Sequence, residues 1–415
     1  GRTARFPVLY RQNSQSQPGP KAFSGRRGWP ARFVHPGFRP ERRLGLSSDP
    51  SHAYASAGGN SAHPNAELHR HSHANIYRYP NREGSTPVGW LVEYANALFW
   101  MLLMCCRLFF TRGFDAIHAC NPPDTYWLLG RFYKLFGKKY VFDHHDLNPE
   151  LYESRFGKRG WIHRVLLWLE RQQFRTADRV IATNESYRQV AIQRGGVPPD
   201  RVVVVRSGPD LNRFHRVAPN EALKRGKRYL AVYLGVMGPQ DGVDYLIRAI
   251  EHVVRTFGRE DVQFVLVGDG DVRSDLEAMA HEKGVDEWVY FTGRIPDEQL
   301  QEVLSTADIA LAPDPKNPLN DVSTMNKVVE YMAMGLPVVS FDLKESRFSA
   351  GEAAVYATPN DEREFALRII ELLDDPERRQ RMGEYGLQRV REHLAWEHSR
   401  RVLVDLYTGL LCANR

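Results

Sequence analysis

Apolar residues follow two regimes along this chain. From about residue 75 onward, short runs of β-branched and aromatic residues alternate with longer amphipathic stretches, whereas residues 1–74 show no such period. Runs at 116–118, 140–142, 180–182 and 202–205 read as strands, and the stretches at 123–136, 160–175 and 185–194 as helices. A second series places strands at 229–234, 262–267, 289–292, 309–312, 338–340 and 354–356, with helices at 241–256, 272–284, 297–305, 326–334 and 362–374. Apolar strands separated by helices form parallel sheets covered on both faces. The fold class is therefore α/β, with two doubly wound Rossmann-like domains facing across a cleft.

The pattern also sets boundaries. Residues 75–207 form the first domain and 208–380 the second, with a linker within 207–227, and 381–415 are C-terminal helices crossing back to the first domain. Order begins near Ile76-Tyr77-Arg78-Tyr79. No strand followed by a glycine-rich turn is found before residue 75, so the first domain lacks its first strand. Residues 1–74, rich in Arg, Ser, Pro, Gly and His, read as disordered or as aberrant sequence from a wrong start or a frameshift. They hold no continuous apolar run of the kind a signal peptide needs.

The 415 residues suffice for two cores. Four cysteines (Cys105, Cys106, Cys120, Cys412) show neither a disulfide framework nor paired metal-ligand spacing, which fits a reducing cytoplasm. The net charge of +6 is misplaced for nucleic-acid binding. Residues 1–74 carry eleven Lys and Arg against three acids, a net of +8, which leaves −2 for the rest.

One helix stands apart. Residues 88–110 are apolar, but Glu93 and Asn96 interrupt them, and the dense run 97–106 falls short of the roughly 20 residues a span needs. It reads as a buried helix covering one face of a sheet. The other reading is a helix docked on a membrane surface, with Trp90 and Trp100 at the interface and Arg107 and Arg112 on headgroups. The mixed basic and apolar helix at 159–176 is open to the same two readings, including contact with a lipid-linked acceptor.

Ligands of doubly wound sheets sit at the carboxyl ends of the strands. There, Asn320 through Pro337 runs from a polar loop into a short helix that stops at Gly335-Leu336-Pro337. Its first turn suits a phosphate, and Lys327 and Glu330 share one helix face. A cation and a carboxylate so placed fit a nucleotide sugar, or form a surface ion pair. Gly235, Gly238, Gly268, Gly270 and Gly293 follow successive strands, where they serve a ligand cleft or plain turns. Arg206 and Arg294 lie at two further strand ends. In Asp143-His144-His145-Asp146, alternation points Asp143 and His144 to opposite sides, and no third group has metal-ligand spacing, so no metal is expected. His145 either donates to a substrate hydroxyl or ties down its own loop.

From about residue 75 to 411, the order of these signals resembles the retaining glycosyltransferases of the GT-B fold, in particular glycosyltransferase family 4 (group 1), of bacterial envelope and exopolysaccharide type. The matching stretches are Phe142–Leu147, Val205–Leu211, Tyr233–Asp244, Val265–Gly270, Phe291–Arg294 and Ser323–Pro337. The resemblance implies that Glu330 is the second acid of the Glu-x7-Glu motif, binding the ribose, with Lys327 beside it. Ser323 and Thr324 would meet the donor sugar and phosphates, Gly235 and Gly238 would form the diphosphate loop, Arg294 would approach the base, and His145 would be catalytic near the transferred sugar. Three departures stand out. Val322 occupies the position of the first acid, with Asp321 displaced by one. Val236 and Asp241 replace the usual phosphate-binding Arg and Lys, for which Arg206, Arg294, Lys327 and the helix terminus are substitutes. The first strand is the third departure.

The resemblance further implies transfer of a sugar from a nucleotide-sugar donor to a saccharide or lipid-linked acceptor with retention, without metal or cofactor, in the cytoplasm or on the inner face of the membrane. A nucleotide-sugar epimerase and a non-catalytic GT-B binding protein remain as alternatives.

Overall fold

Strand formation in this chain follows the β-branched runs, because parallel strands covered on both faces need apolar side chains on both. The computed structural model describes residues 8–9, 30–35, 75–80, 87–212 and 214–412. Contacts divide the chain into two units, Gly1–Arg206 with Ser399–Arg415, and Ser207–His398.

In the first unit, the strands are β1 (Val8–Leu9), β2 (Pro30–His35), β3 (Asn75–Pro80), β4 (Ala116–Cys120), β5 (Lys139–His144), β6 (Arg179–Ala182) and β7 (Val202–Val204), in the order β3-β2-β1-β4-β5-β6-β7. The helices are α1 (Pro87–Thr111), α2 (Trp127–Lys134), α3 (Asn148–Phe156), α4 (Trp161–Thr176) and α5 (Glu185–Gln193). Asn184 caps α5 by accepting from the Tyr187 N–H at 2.7 Å. Strands β4 to β7 are parallel, with β1 parallel to β4 through the pairs Val8↔His118 and Leu9↔Ala119. This corrects the expectation of no strand before residue 75. Two paired residues are too few to leave an alternation in the sequence, and no glycine-rich turn marks them. The rest of 1–74, read as disordered or aberrant, lies outside the described residues.

The second unit carries β8 (Tyr229–Leu234), α6 (Val243–Glu251), β9 (Val262–Val267), α7 (Arg273–Glu282), β10 (Val289–Gly293), α8 (Asp297–Thr306), β11 (Ile309–Ala312), α9 (Asn326–Ala333), β12 (Val338–Phe341), α10 (Lys344–Ala350), β13 (Ala354–Ala357), α11 (Glu362–Asp374) and α12 (Pro376–Arg389). Its parallel sheet runs β10-β9-β8-β11-β12-β13, the doubly wound order with a switch between β8 and β11. One apolar cluster fills each face of this sheet. Asp361 and Asp375 cap α11 and α12 through the N–H groups of Glu364 and Arg378.

The last helix, α13 (Trp396–Cys412), packs Leu406, Tyr407 and Leu410 on Ala116, Val141 and Ile181 of the first sheet. Helix α1 corrects its primary reading as a buried helix. Only one stripe, Ala97, Met101, Cys105 and Leu108, is buried, while Phe99, Leu102, Leu103 and Phe110 face outward. Within it, Val92–Thr111 has a mean hydropathy of 1.4, long and apolar enough to cross a membrane by length and composition.

The second core depends on Phe341, fully buried with its ring 4.9 Å from Phe365 and 5.9 Å from Tyr245. Phe341→Ala is expected to lower the unfolding free energy of the protein in urea by about 3–5 kcal/mol. Leu367→Ala, on the exposed face of α11, is expected to change it by about 0.5 kcal/mol.

Candidate functional site

In the second unit, the loops after β8 and β9 lie backbone on backbone. The Gly235 N–H donates to the Val267 carbonyl at 3.0 Å and the Met237 N–H to the Asp269 carbonyl at 3.1 Å. A Cβ on Gly268, at φ +136°, would stand 1.8 Å from the Gly235 carbonyl oxygen, and one on Gly270 would stand 2.3 Å from that of Met237. Glycine is therefore required at both positions for this approach. The turn that follows is closed by Asp241, whose carboxylate accepts from the Gly238 N–H at 2.9 Å and from Gln240 Nε2 at 3.2 Å.

Lys327 rises from the first turn of α9 beneath this loop. Its Nζ donates to Asp314 Oδ1 at 2.7 Å and lies 4.9 Å from the Tyr233 ring centroid. Both charged side chains are buried, at 10% and 2% exposure. Burial works to lower the Lys327 ammonium, but Asp314 and Asp241 outweigh it and hold the group above its ordinary value. Asp314 Oδ2 is buried with no hydrogen-bond partner in the structure. Tyr331, on the same helix, accepts from the Leu234 N–H at 2.6 Å and donates to the Leu311 carbonyl at 3.2 Å, tying α9 across the ends of β8 and β11. Glu330 is half-buried one turn beyond Lys327. Met325 provides no side-chain cap for α9.

Three of the positions singled out in the sequence have structural partners of their own. The Ser323 hydroxyl donates to the Leu319 carbonyl at 2.7 Å and its N–H to the Asn320 carbonyl at 3.3 Å, both within their own turn. Asp321, next to Val322, is engaged elsewhere. It accepts from the Lys344 N–H at 3.0 Å and pairs with Lys316 at 3.4 Å. Arg206 belongs to the first unit, where, against the opposing effect of burial, Gln189, Arg188 and Arg206 together hold Glu185 below its ordinary value. Thr324 is half-buried on the loop before α9, and Arg294 is exposed after β10. A recess of about 260 Å³ lies along Gly238, Pro239, Asp244 and Asp275, and includes neither Lys327 nor Glu330.

In the first unit, a polar chain ends at His145. Tyr407 Oη lies 2.5 Å from His118 Nδ1, His118 Nε2 lies 3.0 Å from Asp143 Oδ2, and Asp143 Oδ1 lies 3.4 Å from His145 Nδ1. Asn121, buried at the end of β4, fixes the loop: its Oδ1 accepts from the N–H groups of His145 and Asp146, and its Nδ2 donates to the Asp146 carbonyl. The His145 side chain remains 42% exposed. Its imidazole is held above its ordinary value by the Cys120 sulfur first and by Asp143 after it. Burial keeps the Cys120 thiol itself raised, so Asp143 is the standing charge. Burial also opposes ionisation of Asp143, but hydrogen bonds from His118 and His145 win and hold its carboxyl well below the usual range.

Ligand-capable atoms of Cys120, Asp143 and His145 lie within 4.8 Å of one another. The structure thus supplies the third group that sequence spacing did not reveal, since Cys120 and Asp143 are register partners on β4 and β5. The protonated thiol opposes metal binding there. His144 points the other way, as alternation requires, into a buried contact with Glu170 at 3.4 Å.

The structure therefore brings Gly235, Gly238 and Lys327 together and sets Glu330 on the same helix. Sequence reasoning missed Asp314, Asn121, His118, Cys120 and Tyr407. His118 and Tyr407 are 289 positions apart, so no local spacing signals them.

Residues 228–375 match the family described as Glycosyl transferases group 1, and residues 57–213 match Glycosyltransferase Family 4. The chain is 29% identical over 228 residues to the alpha-D-kanosaminyltransferase of Streptomyces kanamyceticus, a match that covers 53% of this chain and 57% of that protein. The fold is similar to sucrose-phosphate synthase from Thermosynechococcus elongatus, with a TM-score of 0.66 and 22% identity, covering 81% of this chain and 84% of the other. It is also similar to Anabaena HepE, solved in complex with UDP, with a TM-score of 0.62 and 17% identity, covering 77% and 84%. With both matches in place across well over half of its length, the chain belongs to the family 4, group 1 glycosyltransferases, which have the GT-B fold.

Proposed function

We propose that the protein transfers a sugar from a nucleotide-diphosphate donor to a saccharide or lipid-linked acceptor, with retention of configuration and without a metal, in cell-envelope or exopolysaccharide synthesis on the cytoplasmic side. The observation that carries this reading is the cradle around Lys327. Two glycine loops pack backbone on backbone at Gly235, Gly268 and Gly270, and beside Gly235 a buried ammonium rises from the helix that also carries the Glu330 carboxylate. Such a site suits a diphosphate next to a ribose. HepE, a structural neighbour, binds UDP. The relative from Streptomyces is named as a transferase, which favours transfer over donor-only epimerisation.

In this reading, Glu330 accepts from the ribose hydroxyls. Lys327 and the N-terminus of α9 stabilise the negative charge that grows on the departing diphosphate. As the bond from the anomeric carbon to the diphosphate oxygen breaks, an oxocarbenium-like sugar forms, and the acceptor hydroxyl attacks from the face the diphosphate leaves and passes its proton to the departing diphosphate oxygen. Within the first unit, the exposed His145 ring is suited to donate to a hydroxyl, with Asp143 keeping the proton on it. Positioning and charge complementarity supply the catalysis.

Glu330→Ala is expected to cut sugar transfer by about a hundredfold or more while the urea midpoint stays near that of the parent. Transfer assays with UDP and GDP sugars check this, and unimpaired turnover removes Glu330 from the site.

The Asp143–His145 pair has a defined pH window. Asp143 is depressed, so its contribution to stability is present above about 3.9 and is lost as pH falls through its lower folded value. His145 is raised, so its contribution is complete below about 6.5 and is lost as pH rises through its higher folded value. The pair is therefore fully stabilising between about pH 4 and 6.5. An NMR titration is expected to find the His145 midpoint above about 6.5 in the parent and lower in Asp143→Asn. An unchanged midpoint would show that Asp143 does not hold the proton.

A further inference from the structure

We infer that one helical face of the first unit is a docking surface for an anionic lipid bilayer, entered in the interface plane rather than spanned. This deepens the lipid-linked-acceptor form of the reading above, but its test does not use transfer activity.

Helices α1, α2 and α4 lie side by side. Phe109 of α1 stacks 5.5 Å from Tyr133 of α2 and 5.2 Å from Phe136 just beyond it. Trp127 of α2 meets Trp168 of α4 at 5.9 Å, and Arg131 donates to Gln172 at 2.8 Å. Large apolar side chains stand outward across all three. Phe110 is 83% exposed and Leu135 81%, with Phe99, Phe136, Trp161 and Trp168 each more than half exposed. Soluble surfaces rarely gather so many without a partner.

Charge selects the partner. The only acids on these helices, Glu93 and Glu170, are both 1% exposed. The exposed cations are Arg107 and Arg112 at the end of α1, Arg131 on α2, and Arg164, Arg171 and Arg175 on α4. Three helices that present aromatic side chains and arginines and themselves expose no carboxylate complement anionic headgroups over an acyl interior. A second copy of this chain would bring like charges together across a twofold contact. Tryptophan at positions 161 and 168 suits the headgroup level.

Geometry argues against a span. The stripe Ala97, Met101, Cys105 and Leu108 is buried against the protein, and the C-terminal half of α1 is held by ring contacts to α2. Only the outer side of Val92–Thr111 is available to lipid.

The test is flotation of the full chain with vesicles of phosphatidylcholine containing about 30% phosphatidylglycerol, against phosphatidylcholine alone. The expected result is binding to the anionic vesicles that weakens at about 0.5 M salt and is released by alkaline carbonate. Phe110→Ser with Leu135→Ser is expected to lower partitioning about tenfold or more. Arg164→Glu with Arg171→Glu is expected to lower binding to the anionic vesicles alone. The positions are exposed, and unchanged urea midpoints would show that the variants fold. Failure to float, equal binding to both vesicles, resistance to carbonate, or a self-association in solution that Phe110→Ser with Leu135→Ser abolishes would each overturn the proposal. Sugar transfer to a soluble acceptor by the same variants is expected to stay within about twofold of the parent, so a failed vesicle assay leaves the transferase reading standing.

Discussion

The buried pair between Lys327 and Asp314 is the constraint around which the second unit is arranged. Two charges taken out of water are stable only with good geometry and further partners. Here the ammonium has Asp314 at 2.7 Å, the Tyr233 ring beneath it, and the field of Asp241. Each of these comes from a different strand end: Tyr233 from β8, Asp314 from beyond β11, and Lys327 from the helix that follows. Pairing them pins the start of α9 at the switch between β8 and β11, where the sheet order reverses. Removing either partner would leave a buried charge uncompensated, which costs about 3–5 kcal/mol in comparable sites.

That arrangement also explains how the loop tolerates Val236 and Asp241. A valine contributes only its carbonyl, which accepts from Tyr233 Oη at 2.7 Å. Asp241 turns inward to cap the Gly238 N–H. The cost of this solution is electrostatic. Lys327 answers to two carboxylates before any phosphate arrives, so it is a weaker anion site than a lone lysine. Any anion brought to Lys327 has to compete with Asp314, whose second oxygen is already without a partner.

How much was legible in the sequence depends on the range of the signal. Strands such as 229–234 and 262–267 matched their runs residue for residue, because burial on both faces demands apolar side chains, interrupted here only by Gln263. Lys327 and Glu330 were legible because helical spacing is local. Helices α3 and α10 were not, since NPELYESRF and KESRFSA carry little apolar period. Helix α1 was misjudged because its apolar composition hid which side faces outward. Ser323 was assigned to ligand, whereas its hydroxyl bonds to the Leu319 carbonyl of its own turn, a competition that short polar side chains often win in loops. Asp314, Asn121 and Tyr407 act through contacts that only the fold creates.

The first unit shows what such a contact achieves. Tyr407 sits on the last helix, yet it sets the orientation of His118, which holds Asp143, which in turn holds the proton of His145. Each link fixes the next, so the exposed ring is oriented by a residue 262 positions away in the chain. The 3.4 Å separation at the last step is long for a hydrogen bond, and the 42% exposure of the ring lets water share it. His145 is therefore restrained rather than locked. Cys120 and Asp143 favour its charged form and Asn121 fixes its backbone, while the exposed ring keeps the freedom to turn. A fully buried histidine, such as His144 beside it, has no such freedom. Two adjacent histidines on one strand end are thus divided by the pleat, one committed to the core and the other available for chemistry.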